Sequence, residues 1–161
     1  MQRGKAVTQN PLQTDRKPRE LVSFRLGTQE FCVDIMAVRE IRGWTQATPL
    51  PHAPAYVLGM INLRGTVLPV IDVGTLLGLP ADRESTRRVV IVVWIGNRLG
   101  GLLVDAVCDI LTVSDEAVMA PPEISDEKVQ SFVSGVITVD DRMICLLTIG
   151  DILPALDSEA A

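Results

Sequence analysis

GMINLRGTVLPVID, residues 59–72, is the stretch that decides the fold. Ile61 and Leu63 alternate with Met60 and Asn62, and Val67 and Ile71 alternate with Leu68 and Val70. A period of two is the signature of a β-strand. Between the arms, Gly65 tolerates the positive φ that a tight turn needs. Pro69 has no backbone N–H and belongs at an edge or a bulge. The stretch therefore predicts a β-hairpin that lifts Arg64 to its tip.

Outward from this hairpin the same signals recur. Leu21–Leu26 and Glu30–Val33 predict a hairpin turning at Gly27-Thr28. Asp34 is placed to cap a short helical turn through Arg39. Pro49, Pro51 and Pro54 make the segment before Tyr56 a loop, with short strand pieces at Ile41–Trp44 and Thr48–Leu50. After Asp72, a second cap, a short helix is expected over Val73–Leu79, then a charged linker over 81–87. Arg88–Ile95 and Arg98–Val104 predict another hairpin. Asp105–Val113 reads as a kinked strand. Phe132–Val139 and Arg142–Leu147 turn at Asp140-Asp141, and Thr148 would cap a last helix through Leu156.

The chain repeats itself. YVLGMINLRGTVLPVIDVGTLL aligns without a gap on FVSGVITVDDRMICLLTIGDIL. Gly59 meets Gly135, Ile61 meets Ile137, Asp72 meets Thr148, and Arg64-Gly65 meets Asp140-Asp141. Upstream, Gly27 falls on Gly96, and VD…VREI (33–41) recurs as VD…VCDI (104–110). Repeats over about 21–79 and 88–156 imply two similar lobes, each most simply a small closed or nearly closed sheet without exposed edges. Two lobes create a groove, a favoured place for binding. Val38, Ile41, Val104 and Val107 would give it an apolar floor.

Composition narrows the function. The 161 residues are 47% hydrophobic, enough for a core, but only 4% aromatic, so aliphatic side chains must pack it. Their β-branched character favours sheet. A net charge of −5 speaks against a phosphate-matching nucleic-acid face. The longest apolar run, Val89–Ile95, is too short to span a bilayer, and the polar start lacks a signal peptide's apolar stretch, so a cytosolic protein is expected. Residues 1–19 carry no periodicity and read as a disordered arm, with 157–161 a frayed tail. Cys32, Cys108 and Cys145 are odd in number, lack metal spacing, and read as buried free thiols.

Catalytic patterns are missing. His52 is the one histidine, sits among prolines and has no second ligand at metal spacing. No GxSxG, HExxH or phosphate loop occurs. Asp34 and Asp72 would make a carboxylate pair only if the fold brought them together, and helix capping accounts for both. No catalytic residue, metal or cofactor is expected. Arg64 admits two readings: an internal ion pair with a carboxylate such as Glu40, or a donor to a partner.

These residues resemble the CheW family of bacterial chemotaxis coupling proteins. NLRG at 62–65, preceded by Gly59 and followed by LPVID, is similar to that family's central motif. VDIMAVREIRG (33–43) and VVIVVWIGNRLGGLLVDAVCDIL (89–111) are similar to two others, and the resemblance spans Glu20 to Leu156. It implies two five-stranded SH3/OB-like β-barrel lobes with short helices. It also implies a non-enzymatic adaptor between the cytoplasmic tip of membrane chemoreceptors and the regulatory domain of the histidine kinase CheA. Val38, Glu40, Ile41 and Arg64 match positions tied to receptor coupling, with Val104 and Val107 joining them in the groove. Thr48, Leu58 and Gly59 would face the kinase. The arm before Glu20 has no counterpart in this resemblance. Two other readings stand beside it: the same adaptor fold in a chemosensory array with a non-motility output, and a small-ligand-binding β-barrel.

Overall fold

The computed structural model describes residues 18–79, 87–121, 131–148 and 150. The strands are β1 (Arg19–Leu26), β2 (Gln29–Asp34), β3 (Val38–Gly43), β4 (Val57–Leu63), β5 (Thr66–Asp72), β6 (Val89–Ile95), β7 (Arg98–Val104), β8 (Ala106–Val113), β9 (Val133–Val139) and β10 (Arg142–Leu147). A short helix, α1 (Val73–Leu77), follows β5, and a 3-10 turn over Ile35–Ala37 joins β2 to β3. The expected arm lies outside the described residues except at its end, where Arg19 already belongs to β1. The expected linker and last helix lie mostly outside them too.

The hairpin over 59–72 forms as the alternation requires, with Ile61 opposite Leu68 and Leu63 opposite Thr66. Arg64 and Gly65 both take positive φ, 51° and 89°, and the Asn62 side chain accepts the Gly65 N–H at 2.8 Å. The matching turn at Asp140-Asp141 also has two positive φ values, 49° and 66°. Pro69 pairs with Met60, while the β5–β7 ladder begins only at Val70, so its missing N–H costs no hydrogen bond. Asp72 caps α1 through the Thr75 N–H, and Gly78 closes it in the left-handed region. Asp34 caps the 3-10 turn through the Met36 N–H at 2.9 Å. That turn stops at Ala37 rather than Arg39, because Val38 already pairs with Val93 in β3 and Arg39 forms the bulge that follows.

The strands assemble into two five-stranded sheets. Lobe I has the order β8-β1-β2-β10-β9 and lobe II the order β3-β6-β7-β5-β4. Interchanging the repeats turns one order into the other. Each lobe therefore takes its first hairpin from one repeat and three strands from the other, which corrects the division of the lobes at 21–79 and 88–156. The cause is local: only Ile35–Ala37 separates β2 from β3, and only Asp105 separates β7 from β8. Chain that short cannot turn back on its own sheet, so it crosses to the other one. Neither order closes by a backbone ladder among the described residues, so the lobes are rolled sheets rather than closed barrels.

Three apolar clusters follow. One fills lobe I around Leu21, Ile137 and Ile144. Another fills lobe II around Leu68, Val90 and Leu103. The largest lies between the lobes, with Phe24, Phe31 and Val33 from lobe I packed with Ile71, Ile91, Leu102 and Val104 from lobe II. The junction is a packed core, not an open groove. Val104 is 0% exposed, so no partner can touch it, which corrects its assignment to a groove floor. β7 is central, with β5 on one side and β6 on the other, and both its faces are covered.

Candidate partner-binding surface

β3 is an edge strand of lobe II whose burial alternates half-buried with exposed. An open edge is a template for pairing with other chains, and charged side chains blunt it. Arg39, Glu40 and Arg42 supply the charges here. Val38 and Val107 are half-buried and pack on the margin of the inter-lobe core. Ile41 remains 47% exposed, and Trp44 just beyond it 43%.

Arg64 at the β4–β5 tip forms an ion pair and hydrogen bond with Glu40 on β3. β3 and β4 are the opposite edges of the lobe II sheet. The pair therefore ties the rolled sheet edge to edge with side chains where no ladder does so. Arg42 adds a weaker contact to the same carboxylate at 3.5 Å. The Arg64 hydrogen bond is the main reason the Glu40 carboxyl is held below the usual range; Arg64 is raised in return. Arg64 stays exposed, its remaining N–H groups open to solvent on one flank of Ile41's strand. Of the two readings of Arg64, the internal pair forms, and it leaves the guanidinium on the surface.

Thr48, Leu58 and Gly59 come together on lobe II. Thr48 bridges Met60 with two backbone hydrogen bonds of 2.8 Å. Gly59 is buried at φ +150°, and a Cβ there would lie 2.1 Å from the Thr48 carbonyl oxygen. Gly59 therefore offers no surface to a partner, and its place is to let the Thr48 segment close on β4. Leu58 is half-buried and lines a recess of about 190 Å³ with Trp44, Gln46 and Ala47. That is below the ~300–1,000 Å³ usual for small-molecule sites.

The sequence missed two clusters. Arg39 lies over the half-exposed Trp94 ring at 5.5 Å, a pairing between β3 and β6 with no short-range signal. Arg88, Asp72 and Asp105 form a buried charge cluster at the end of the inter-lobe core. Asp34 and Asp72 are caps on different sheets, which removes the carboxylate-pair reading. Burial pushes the Cys32 thiol up to about 12 and raises Cys145 and Cys108 as well; Cys32 is buried and the other two half-buried. Among the described residues no cluster could hold a metal ion and no helix is long and apolar enough to cross a membrane.

Comparison with known proteins agrees with this architecture. The family model for the CheW-like domain matches residues 20–157. A chemotaxis protein CheW of Rhizobium meliloti is 56% identical over 143 residues, covering 89% of this chain and 92% of that protein. One of Klebsiella aerogenes is 33% identical over 135 residues, covering 84% and 81%. The crystal structure of a scaffolding protein, TtCheW from Thermoanaerobacter tengcongensis, superposes with a TM-score of 0.76 at 31% identity, covering 82% of this chain and 90% of that one.

Proposed function

The chain belongs to the CheW-like family, and on that premise we propose that it is a non-enzymatic adaptor coupling the cytoplasmic tips of chemoreceptors to the histidine kinase CheA. In this reading it works at receptor arrays on the inner face of the membrane and reaches the membrane only through its partners. The observation that carries the surface assignment is the β3 edge: Ile41 is exposed on one face, and Glu40 on the other face of the strand holds Arg64 at the surface. An amphipathic helix fits such a strip, its apolar stripe on Val38, Ile41 and Val107 and its acidic side chains toward Arg64. Exposed Thr48 and the small recess that Leu58 lines form the kinase-facing surface in this reading. Small aliphatic contacts give modest affinity singly, and array avidity multiplies it. The adaptor then holds receptor and kinase where receptor state biases kinase activity.

Co-sedimentation with receptor-bearing membranes and CheA tests this. Ile41→Asp and Arg64→Ala should each lower receptor-dependent recovery about tenfold or more, the scale of an interface hot spot, with unchanged thermal unfolding. Thr48→Arg should reduce kinase recruitment and spare receptor binding. Full recovery with both β3-side variants would remove this surface from the receptor contact.

A further inference from the structure

Each lobe closes the gap between its two edge strands in the same way but with different side chains. Beyond β3 the chain returns to the far edge of lobe II, where Thr48 pairs with Met60 at 2.8 Å. Beyond β8 it returns to the far edge of lobe I, where Met119 pairs with Val136 at 2.9 Å. The aligned glycines, Gly59 and Gly135, lie against these two segments, so Thr48 matches Met119 and Ala47 matches Val118. Val118 packs on the lobe I core and Ala47 on the lobe II core. Alanine ends at Cβ, where valine branches.

Under Ala47, lobe II keeps a recess of about 190 Å³ that reaches the core residues Val70, Val90 and Leu103, all 2% exposed or less. Leu58 and the 43% exposed Trp44 also line it. None of the described residues that line it is charged. The wall is fixed: the Thr48–Met60 hydrogen bonds hold the segment to β4, and Gly59 lets it approach where a Cβ would collide.

Size and chemistry select the occupant. An apolar cavity of ~150 Å³ stays dry and takes up benzene, whereas sites for whole small molecules begin near ~300 Å³. An uncharged recess between these sizes, next in the chain to exposed Thr48, accepts a single ring or branched aliphatic side chain. Anchors of that kind, set in formed pockets, carry most of the free energy of an interface.

We infer that the recess is a socket for one apolar side chain, leucine to phenylalanine in size, of the kinase's regulatory domain. The inference rests on the kinase-facing reading of Thr48 and Leu58. It adds Ala47 as the residue whose small size keeps the socket open.

Two measurements on the full chain test this. Benzene, titrated into methyl-labelled protein, should shift the Leu58 and Val90 methyl resonances saturably. It should leave them unmoved in Ala47→Leu, whose side chain occupies the recess. Binding of the CheA regulatory domain, read by calorimetry, should weaken about tenfold or more in Ala47→Leu, the scale of a lost anchor. It should weaken less in Ala47→Val, which copies lobe I. No benzene response in the parent, or parent-like kinase affinity in folded Ala47→Leu, would overturn the inference. Thr48→Arg separates the two possible failures. If it weakens kinase binding and Ala47→Leu does not, the kinase-facing surface stands without a socket; if neither does, that surface is wrongly placed and the socket falls with it. Should Ala47→Leu fail to fold, the unmodified chain decides: saturating regulatory domain should abolish the benzene shifts, and shifts that persist would overturn the inference.

Discussion

The two lobes share one architecture and differ at the points where side chains must finish it. In lobe II the hairpin tip is Arg64-Gly65 and the edge strand offers Glu40, so opposite charges tie the sheet's two edges. In lobe I the equivalent tip is Asp140-Asp141, and the residue aligned with Glu40 is Asp109. Two carboxylates cannot make that tie. Lobe I is finished by other means: Arg142 binds Glu30 at 2.9 Å across neighbouring strands, and the buried Ser23 hydroxyl clamps the bulge in β8, accepting the Asp109 N–H at 3.0 Å and donating to the Asp109 carbonyl. Duplication preserves backbone geometry because φ and pairing tolerate many side chains. It does not preserve a charge pair, which needs two particular residues at once. Lobe II, which carries the pair, presents an exposed cation tied to an edge strand, and the surface proposed for the receptor lies there.

The largest difference is expected at the aligned positions Asp72 and Thr148. Asp72→Ala should destabilise the chain by about 3–5 kcal/mol in urea denaturation, because it strands the buried Arg88. Thr148→Ala at the equivalent position should cost about 1 kcal/mol or less, because it strands no buried charge. Equal losses would mean that Arg88 finds other partners. Next come the equivalent glycines. Gly59→Ala sets a Cβ 2.1 Å from a backbone oxygen at φ +150°, and should cost about 3 kcal/mol or more, combining overpacking with backbone strain. At Gly135 the nearest atom is the Val118 side chain, at 2.5 Å, which can move. Gly135→Ala should cost about 1–3 kcal/mol. If Gly59→Ala proved the milder, the tight closure of the Thr48 segment on β4 would not hold in solution.

Much of this fold was legible in the sequence because its determinants are local. Period-two alternation gave the hairpins, Gly65 and Asp140-Asp141 the turns, Asp34 and Asp72 the caps. The exchange of hairpins between repeats was not legible. When two repeats are alike, a hairpin's apolar face suits either sheet, and similarity alone cannot choose; the short crossings at 35–37 and 105 decide it. Val104 was misplaced because an apolar residue beside a supposed groove reads like one inside a core. The unbroken burial of Gly100–Val104 marks a central strand covered on both faces. Arg88 was read only as the start of a strand after a charged linker; its burial beside Asp72 and Asp105 has no signal in the local sequence. For Arg64 the sequence offered an internal pair with a carboxylate such as Glu40 or a bond to a partner, and the internal pair is the one that forms.

The smallest effect concerns that pair. The Arg64 hydrogen bond lowers the Glu40 pKa in the folded state, so the folded chain binds the Glu40 proton less readily than the unfolded chain does. Stability from this group is therefore present above the unfolded pKa of about 4.3 and is lost as pH falls through the folded value. Glu40→Gln should flatten the acid limb of the stability–pH curve slightly, and Arg64→Ala should flatten it less, because Arg42 still draws the Glu40 carboxyl down. The double variant should match Glu40→Gln, since without the carboxylate Arg64 has no linkage left to lose. An Arg64→Ala curve that kept the parent's acid limb would show that Glu40 draws its low pKa from Arg42 instead, and that lobe II is rolled by its core rather than tied at its edges.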